Sequence, residues 1–129
     1  MNSILIIDDV EADLELIKES FVDLFGVSEK NDCEFQLAKS GEEALGIVKE
    51  KKFDLVILDT KLPGIDGFET CRQLKETNPQ IKIILLTGVI DMVNAGRARE
   101  AGADEFCVKT MNYTDLKETL QKAFGKKAS

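Results

Sequence analysis

Short apolar runs alternate with amphipathic stretches along the whole chain. A continuous apolar run is typical of a strand covered on both faces, whereas apolar-polar alternation is typical of a half-exposed strand at a sheet edge. Of five runs, only the second alternates, so we expect it to be an edge strand. The strands are predicted, in order, at residues 4–7, 33–37, 55–58, 81–86 and 106–108.

The stretches between these runs place their apolar residues at helical spacing. Ser40 and Glu43 form a capping box at the start of the second helix, and Thr114 is the predicted N-cap of the last one. The fourth helix is predicted to be weak, because Gly96 lies in its interior and few large apolar side chains accompany it. The helices are predicted, in order, at residues 11–25, 41–51, 67–77, 91–101 and 115–124.

This alternation of strands and helices predicts a single α/β domain. Strand-helix-strand units favour a doubly wound, mainly parallel sheet with helices on both faces. No internal repeat or linker interrupts the pattern. We therefore expect one domain over residues 1–124, followed by a short basic tail at residues 125–129.

Polar residues follow four of the five predicted strands. Asp8 and Asp9 follow the first, Asp59 the third, Thr87 the fourth and Lys109 the fifth. Taken singly, an aspartate is often a helix cap and a lysine a solvated charge. In open α/β sheets, however, ligands bind beyond the carboxyl ends of the strands. The joint pattern therefore predicts a site at this edge of the sheet.

The residue types at this edge favour phosphoryl chemistry. Three clustered carboxylates raise one another's pKa values unless a cation lies between them, and Mg²⁺ suits a few carboxylates together with water and phosphate oxygens. Beside such an ion, Asp59 is able to act as an oxygen nucleophile toward phosphorus. Lys109 and the Thr87 hydroxyl are placed to stabilise the charge on phosphoryl oxygens.

The charge of the chain narrows the classes of partner. Its 129 residues include 17 basic and 24 acidic side chains, for a net charge of −7. Such a surface repels phosphate backbones and anionic lipids, so we expect no direct nucleic-acid binding. The apolar runs are far shorter than the roughly 20 residues that span a bilayer, and no signal peptide is evident. We expect a cytoplasmic protein with no membrane insertion.

Histidine and cysteine usage excludes further mechanisms. The chain has no histidine, which rules out an imidazole base, an imidazole metal ligand or a phosphohistidine within it. Cys33, Cys71 and Cys107 form no CxxC pair and suit neither a zinc site nor a disulfide framework. We expect all three to be reduced and mostly buried.

These motifs, in this order, resemble the receiver domain of two-component response regulators. The resemblance covers nearly the whole chain, and its specificity comes from the full ordered set rather than from any one motif. The matching segments are residues 4–9, residues 55–59 with Leu62-Pro63-Gly64 and Gly67, residues 85–88, and residues 101–104 leading to Lys109.

The resemblance implies a flavodoxin-like sheet with strand order 2-1-3-4-5 and a magnesium site at its carboxyl edge. Mg²⁺ is the implied cofactor, and no nucleotide cofactor is expected. The implied ligands of the metal are Asp8, Asp9, Asp59 and the backbone carbonyl of Lys61.

The resemblance also implies a phosphorylation switch. Asp59 is the implied phosphoacceptor, Thr87 shifts toward the phosphoryl group, and Lys109 pairs with it. Phe106 stands at the position of an aromatic switch, although an ordinary core phenylalanine fits the sequence equally well. A sensor histidine kinase or a histidine phosphotransfer protein is the implied donor. A downstream protein target would read the face formed by helix four, strand five and helix five, so we expect a signalling domain rather than an enzyme.

Two residues depart from the family pattern. The family usually has proline after the lysine of the fifth strand, commonly with a cis bond, whereas Thr110 follows here. A non-proline cis bond costs about 2.5–4 kcal/mol, so the geometry of the 109–112 loop is open. Lys61 places a basic side chain near the phosphoryl position, and we hypothesise that it alters the phosphoryl lifetime. An unchanged dephosphorylation rate in Lys61→Ala would dispose of this idea.

Other functions stay open at this point. A Mg²⁺-dependent phosphohydrolase would use the same nucleophile, but such enzymes usually have a second acid where Lys61 stands. A nucleotide- or flavin-binding domain lacks its GxGxxG or GxxxxGK[ST] loop here. A degenerate pocket would leave a phosphorylation-independent interaction module. No output domain is evident in the sequence, so we expect a stand-alone regulator, with a fragment of a larger protein as the alternative.

Overall fold

The computed structural model describes residues 3–25, 34–88, 91–110 and 113–122. Within them, strands and helices alternate strictly, as the apolar pattern predicts. The strands are β1 (Ser3–Ile7), β2 (Glu34–Ala38), β3 (Leu55–Asp59), β4 (Lys82–Thr87) and β5 (Glu105–Val108). The helices are α1 (Glu11–Phe25), α2 (Gly41–Glu50), α3 (Gly67–Thr77), α4 (Met92–Ala101) and α5 (Thr114–Leu120).

The five strands form one parallel sheet in the order β2-β1-β3-β4-β5. The doubly wound fold class and the strand order 2-1-3-4-5 are therefore confirmed. β2 lies at an edge of the sheet. Its first four residues alternate between exposed and partly buried, as the alternating sequence predicts. The order reverses between β1 and β3, which is where open α/β sheets place their ligand sites.

Helices cover both faces of the sheet. Alternate residues of β1 point to opposite sides, because successive side chains of a strand do so. Leu5 and Ile7 pack with buried residues of α2, α3 and α4, whereas Ile4 and Ile6 pack with those of α1 and α5. All four are fully buried, so β1 is a central strand of the core.

Side-chain caps fix where the helices begin. The Ser40 hydroxyl accepts from Glu43 N at 3.0 Å, as predicted, while Glu43 Oε1 accepts from Lys39 N at 2.8 Å. Asp66 caps α3 and Asp91 caps α4, each accepting a backbone N–H three residues on. Both aspartates lie at the carboxyl edge of the sheet, where they hold the helix starts near the predicted site.

The start of α5 corrects the sequence prediction. Thr114 is not the N-cap but the first helical residue, and Tyr113 precedes it in the left-handed conformation with φ 54° and ψ 35°. The Thr114 N–H donates to Thr110 Oγ1 at 2.8 Å. The hydroxyl that accepts a backbone N–H at the start of α5 thus belongs to Thr110 and not to Thr114. Thr110 is the residue at the position where the family usually has proline.

Smaller differences concern element ends. The strands β2 and β4 lie one residue later than predicted, and β5 begins one residue earlier. The predicted end of α5 at Ala123 and Phe124, and the basic tail at residues 125–129, lie outside the described residues. The domain boundary at residue 124 stays a prediction.

The cysteine prediction is confirmed for the two described residues. Cys71 and Cys107 are free and buried, and burial raises the pKa of the first thiol to about 12 and of the second to about 11. Cys33 lies outside the described residues. Among the described helices, each is too short or too polar to cross a bilayer.

Candidate functional site

The structure brings the predicted site residues together at the carboxyl edge of the sheet. Asp59 and Thr87 are the last residues of β3 and β4, while Asp8 and Lys109 directly follow β1 and β5. Asp8 is fully buried, and Asp59 and Thr87 are buried at 7% and 4% exposure. Asp9 is exposed at the rim of the same pocket. One edge of the sheet therefore holds all of the side chains predicted to act on a phosphoryl group.

Lys109 lies at the centre of this site. Its Nζ donates to Asp8 Oδ2 at 2.9 Å and to Asp59 Oδ2 at 3.0 Å. A third bond, also 3.0 Å long, reaches Asp13 Oδ2 on α1. An ammonium group has three N–H donors, so each of them has a carboxylate partner.

Burial and charge shift the pKa values of the paired groups. Burial raises the pKa of Asp8 above its ordinary value, the hydrogen bonds from Val10 N and Lys109 lower it, and the Asp59 charge raises it. The net shift is upward. For Lys109, burial lowers the pKa, but the hydrogen bonds with Asp8, Asp59 and Asp13 outweigh burial and hold the pKa above its usual range. The lysine is therefore charged at neutral pH, and the pocket remains rich in negative charge.

The carboxylates of Asp8, Asp9 and Asp59 fit a small divalent cation. Each offers one oxygen, and the three oxygens lie within 4.8 Å of one another. Mg²⁺ prefers hard oxygen donors and keeps several waters, and the exposed Asp9 leaves a solvent side for them. The donor set therefore agrees with the predicted cofactor. The carbonyl of Lys61 as a further ligand stays a prediction.

The loop after β3 is tied down on both sides of Asp59. Lys61 N donates to Asp59 Oδ1 at 3.2 Å, and Thr60 N donates to Leu86 O at 2.9 Å. Gly67 N donates to Thr60 O at 2.9 Å, which brings the start of α3 against the backbone that follows Asp59. These bonds fix the position and orientation of the Asp59 carboxylate.

An open cavity of about 970 Å³ leads from solvent to this carboxylate. Its walls include Asp9, Asp59, Lys61 and Thr87 and extend to Arg97 on α4. Arg97 donates to Asp66 Oδ2 at 3.0 Å, and its guanidinium stacks 4.2 Å from the centre of the Phe68 ring. The cavity is therefore framed by the elements that follow β1, β3 and β4.

Phe106 lies next to this frame. It is partly buried, packs against the core on the α3 and α4 side, and its ring centre is 6.4 Å from that of Phe68. In this position it serves as a core side chain. Its role as a switch stays a prediction.

Sequence reasoning missed two residues of the site. Asp13 lies on α1 and is one of three acidic partners of Lys109. Tyr113, buried at 4% exposure, lies beside Asp13. Burial raises the pKa of the Tyr113 hydroxyl, and the charge of the Asp13 carboxylate raises it further. No local sequence motif identifies either residue. Both are recognised as site residues only from their position in the folded structure.

Comparison with solved structures agrees with this arrangement. The response regulator TrrA from Thermotoga maritima, solved in complex with Mg²⁺ and beryllium fluoride, is 35% identical to this chain. The match has a TM-score of 0.77 and covers 95% of this chain and 98% of that one.

Curated relatives are longer proteins. The transcriptional regulatory protein ZraR of Salmonella typhimurium is 40% identical over 89 residues, which are 69% of this chain and 20% of ZraR. The transcriptional regulatory protein AfsQ1 of Streptomyces coelicolor is 47% identical over 72 residues, 56% of this chain and 32% of AfsQ1. The chain thus matches between a fifth and a third of the length of these two relatives.

The family model for the response regulator receiver domain matches residues 4–121. That range contains β2 to β5, all of β1 except Ser3, and the three carboxylates that bind Lys109. The acidic edge, the strand order and the family match all lead to one conclusion. This chain belongs to the receiver domains of two-component response regulators.

Proposed function

We propose that this domain accepts a phosphoryl group on Asp59 from the phosphohistidine of a sensor histidine kinase or a histidine phosphotransfer protein. One observation carries the proposal: the Lys109 ammonium lies 3.0 Å from Asp59 Oδ2, within the cluster of carboxylates that fits Mg²⁺. A nucleophilic carboxylate beside a fixed ammonium and a cation site is the arrangement that phosphoryl transfer needs.

Asp59 is prepared for attack without a general base. Its two oxygens are oriented by Lys61 N and by Lys109 Nζ, and a carboxylate oxygen has no proton to give up before it attacks. In the reaction an Asp59 oxygen forms a bond to phosphorus, the nitrogen-phosphorus bond of the donor breaks, and the neutral imidazole leaves after taking up a proton. Held geometry of this kind reduces the entropic cost of bringing the two groups together.

Asp8, Asp9 and Asp59 would hold the Mg²⁺. The bound ion supplies positive charge to the phosphoryl oxygens. Lys109 supplies a second positive charge from the β5 side, and Thr87 supplies a hydroxyl from the end of β4. The three sources of stabilisation lie on different strands, so a phosphoryl group at Asp59 draws on the whole edge of the sheet.

The output surface in this proposal is the face formed by α4, β5 and α5. Within α4, only Ala98 and Ala101 are buried, and Met92 and Val93 at its start are 90% and 72% exposed. So few anchors make α4 easy to move. When Thr87 moves toward the phosphoryl group, Phe106 and α4 adjust, and a downstream protein target reads the new surface.

We classify the domain as a signalling module rather than a phosphohydrolase. Lys61 stands two residues after Asp59, where a hydrolase of this chemistry has its general acid, and a lysine ammonium there has no carboxyl proton to transfer. A cytoplasmic location is part of the same proposal, since Cys71 and Cys107 are free thiols, as reducing compartments favour.

Intact-mass spectrometry tests the acceptor directly. The full chain is incubated with Mg²⁺ and a small acyl phosphate, with Asp59→Asn in parallel. We expect one phosphoryl adduct on the wild type and none on the variant. No adduct on the wild type while the donor persists would contradict the proposal and favour a phosphorylation-independent interaction module. Rapid loss of the donor without an adduct would favour the hydrolase.

A further inference from the structure

Lys109 has one partner that phosphoryl chemistry at Asp59 does not require. Asp13 lies in the first turn of α1 and takes one of the three ammonium donors at 3.0 Å, a length equal to the bond to Asp59. The pair is only partly exposed, at 20% for Lys109 and 27% for Asp13, so solvent screens it incompletely. This is a partly buried ion pair at the edge of the reaction centre.

Tyr113 lies near Asp13, at the edge of the core. Its ring is buried at 4% exposure and packs in the core formed with α1 and α5. The backbone of Tyr113 is left-handed, with φ 54°, which turns the chain sharply between the Lys109 loop and α5. The Asp13 carboxylate is close enough to the Tyr113 hydroxyl for its charge to raise the pKa of that hydroxyl. The hydrogen bond that holds Asp13 comes from Lys109.

We propose that Asp13 is a positioning residue that competes with the phosphoryl group for the Lys109 ammonium. The inference rests on the proposed function of Asp59. All three ammonium donors are in use, so a phosphoryl oxygen gains a bond from Lys109 only if a carboxylate gives one up. Once Asp59 carries the phosphoryl group, Asp8 and Asp13 are the two free carboxylates that still hold Lys109. Asp8 is fully buried and needs its partner, whereas Asp13 is 27% exposed, so water is able to take the place of the lysine there. Of these two, Asp13 releases Lys109 at the smaller cost.

The competition predicts effects of opposite sign on two ligands of the same pocket. Asp13 adds negative charge near Asp59, which attracts Mg²⁺ and repels a phosphoryl group. Removing that charge therefore weakens Mg²⁺ binding and strengthens binding of a phosphoryl mimic. A residue with a merely structural role would move both affinities in the same direction, or neither.

The test measures both affinities by titration calorimetry on the full chain. The probes are Mg²⁺ alone and beryllium fluoride at saturating Mg²⁺. For Asp13→Asn we expect the affinity for beryllium fluoride to rise roughly three- to tenfold and the affinity for Mg²⁺ to fall. A change of this size is expected when one partly screened charge is removed a few ångströms from the ligand. Circular dichroism verifies that the variant is folded.

Glu15→Gln is the matched control: it removes one acidic charge from an exposed position of α1 and leaves both affinities unchanged.

Two results would overturn the inference. If Asp13→Asn binds beryllium fluoride no better than the wild type, Asp13 does not compete for Lys109. If Glu15→Gln reproduces the gain, the effect is one of net charge and not of the Asp13 position. A wild type that fails to bind beryllium fluoride with Mg²⁺ overturns the proposed function itself, and the inference falls with it.

Discussion

Gly67, the first residue of α3, has no room for a side chain. A Cβ atom there would lie 2.2 Å from the carbonyl oxygen of Asp59 and 2.5 Å from Thr60 Cα. Ordinary van der Waals contact begins near 3.4 Å, so the acceptor backbone would have to move by about 1.2 Å. The neighbouring atoms are backbone and cannot rotate away. Gly67→Ala therefore displaces Asp59, the proposed phosphoacceptor.

We expect this displacement to affect stability and phosphorylation to different degrees. Overpacking of a well-filled site costs about 1–3 kcal/mol, so urea unfolding followed by circular dichroism should show a loss in that range. A misplacement of about 1 Å near a reacting group lowers the rate by about 100-fold. The initial rate of adduct formation with acyl phosphate and Mg²⁺, followed by intact-mass spectrometry, should fall by that order in the folded protein.

Gly46→Ala provides the matched control. Gly46 lies in α2, is exposed, and has nothing within 4 Å of the position that a Cβ would take. The same substitution should stabilise this helix by about 0.5–1 kcal/mol and leave the phosphorylation rate unchanged. A Gly67→Ala variant that is phosphorylated at the wild-type rate would refute the reasoning, because the acceptor would then tolerate the shift or avoid it.

Two further predictions concern charge. Burial raises the pKa of Asp8, so the native protein without Mg²⁺ binds more protons than the unfolded protein does. The free energy of unfolding therefore falls as pH rises and this carboxyl ionises. Asp8→Asn removes this ionisation, so its free energy of unfolding relative to the wild type should increase from about pH 4 to about pH 7. Urea titrations at a series of pH values measure this difference, and a difference that decreases with pH would contradict the prediction. Arg97→Met removes both the bond to Asp66 and the stacking on Phe68, so we expect a loss of about 1 kcal/mol, with Arg97→Lys intermediate. Equal stability of all three proteins would show that this contact contributes nothing.

The main features of the fold and site follow from local patterns. Runs such as 55–58 are apolar on both faces, and this identifies buried parallel strands without knowledge of their neighbours. Since all strands of a parallel sheet end at one edge, Asp59, Thr87 and Lys109 had to lie close together once the topology was known. The strand order itself came from the resemblance to the family, since apolar patterning does not distinguish the possible orders.

The parts that sequence reasoning missed depend on contacts between distant segments. Asp13 resembles any acidic residue in the first turn of a helix, a position that the helix dipole favours. Only the folded chain brings it to Lys109, 96 residues later. The N-cap prediction at Thr114 failed for a related reason: Thr110 and Thr114 both carry the needed hydroxyl, and the left-handed turn at Tyr113 decides which one is used.

The sequence separations around Lys109 have a consequence for the newly made chain. Its partners Asp59, Asp13 and Asp8 precede it by 50, 96 and 101 residues. During synthesis the acidic residues therefore emerge long before the ammonium that neutralises them. A partly made chain has only like charges at the carboxyl edge of its future sheet, and these charges repel one another. The proposed acceptance of a phosphoryl group thus requires β5, so the site is complete only late in the synthesis of the domain.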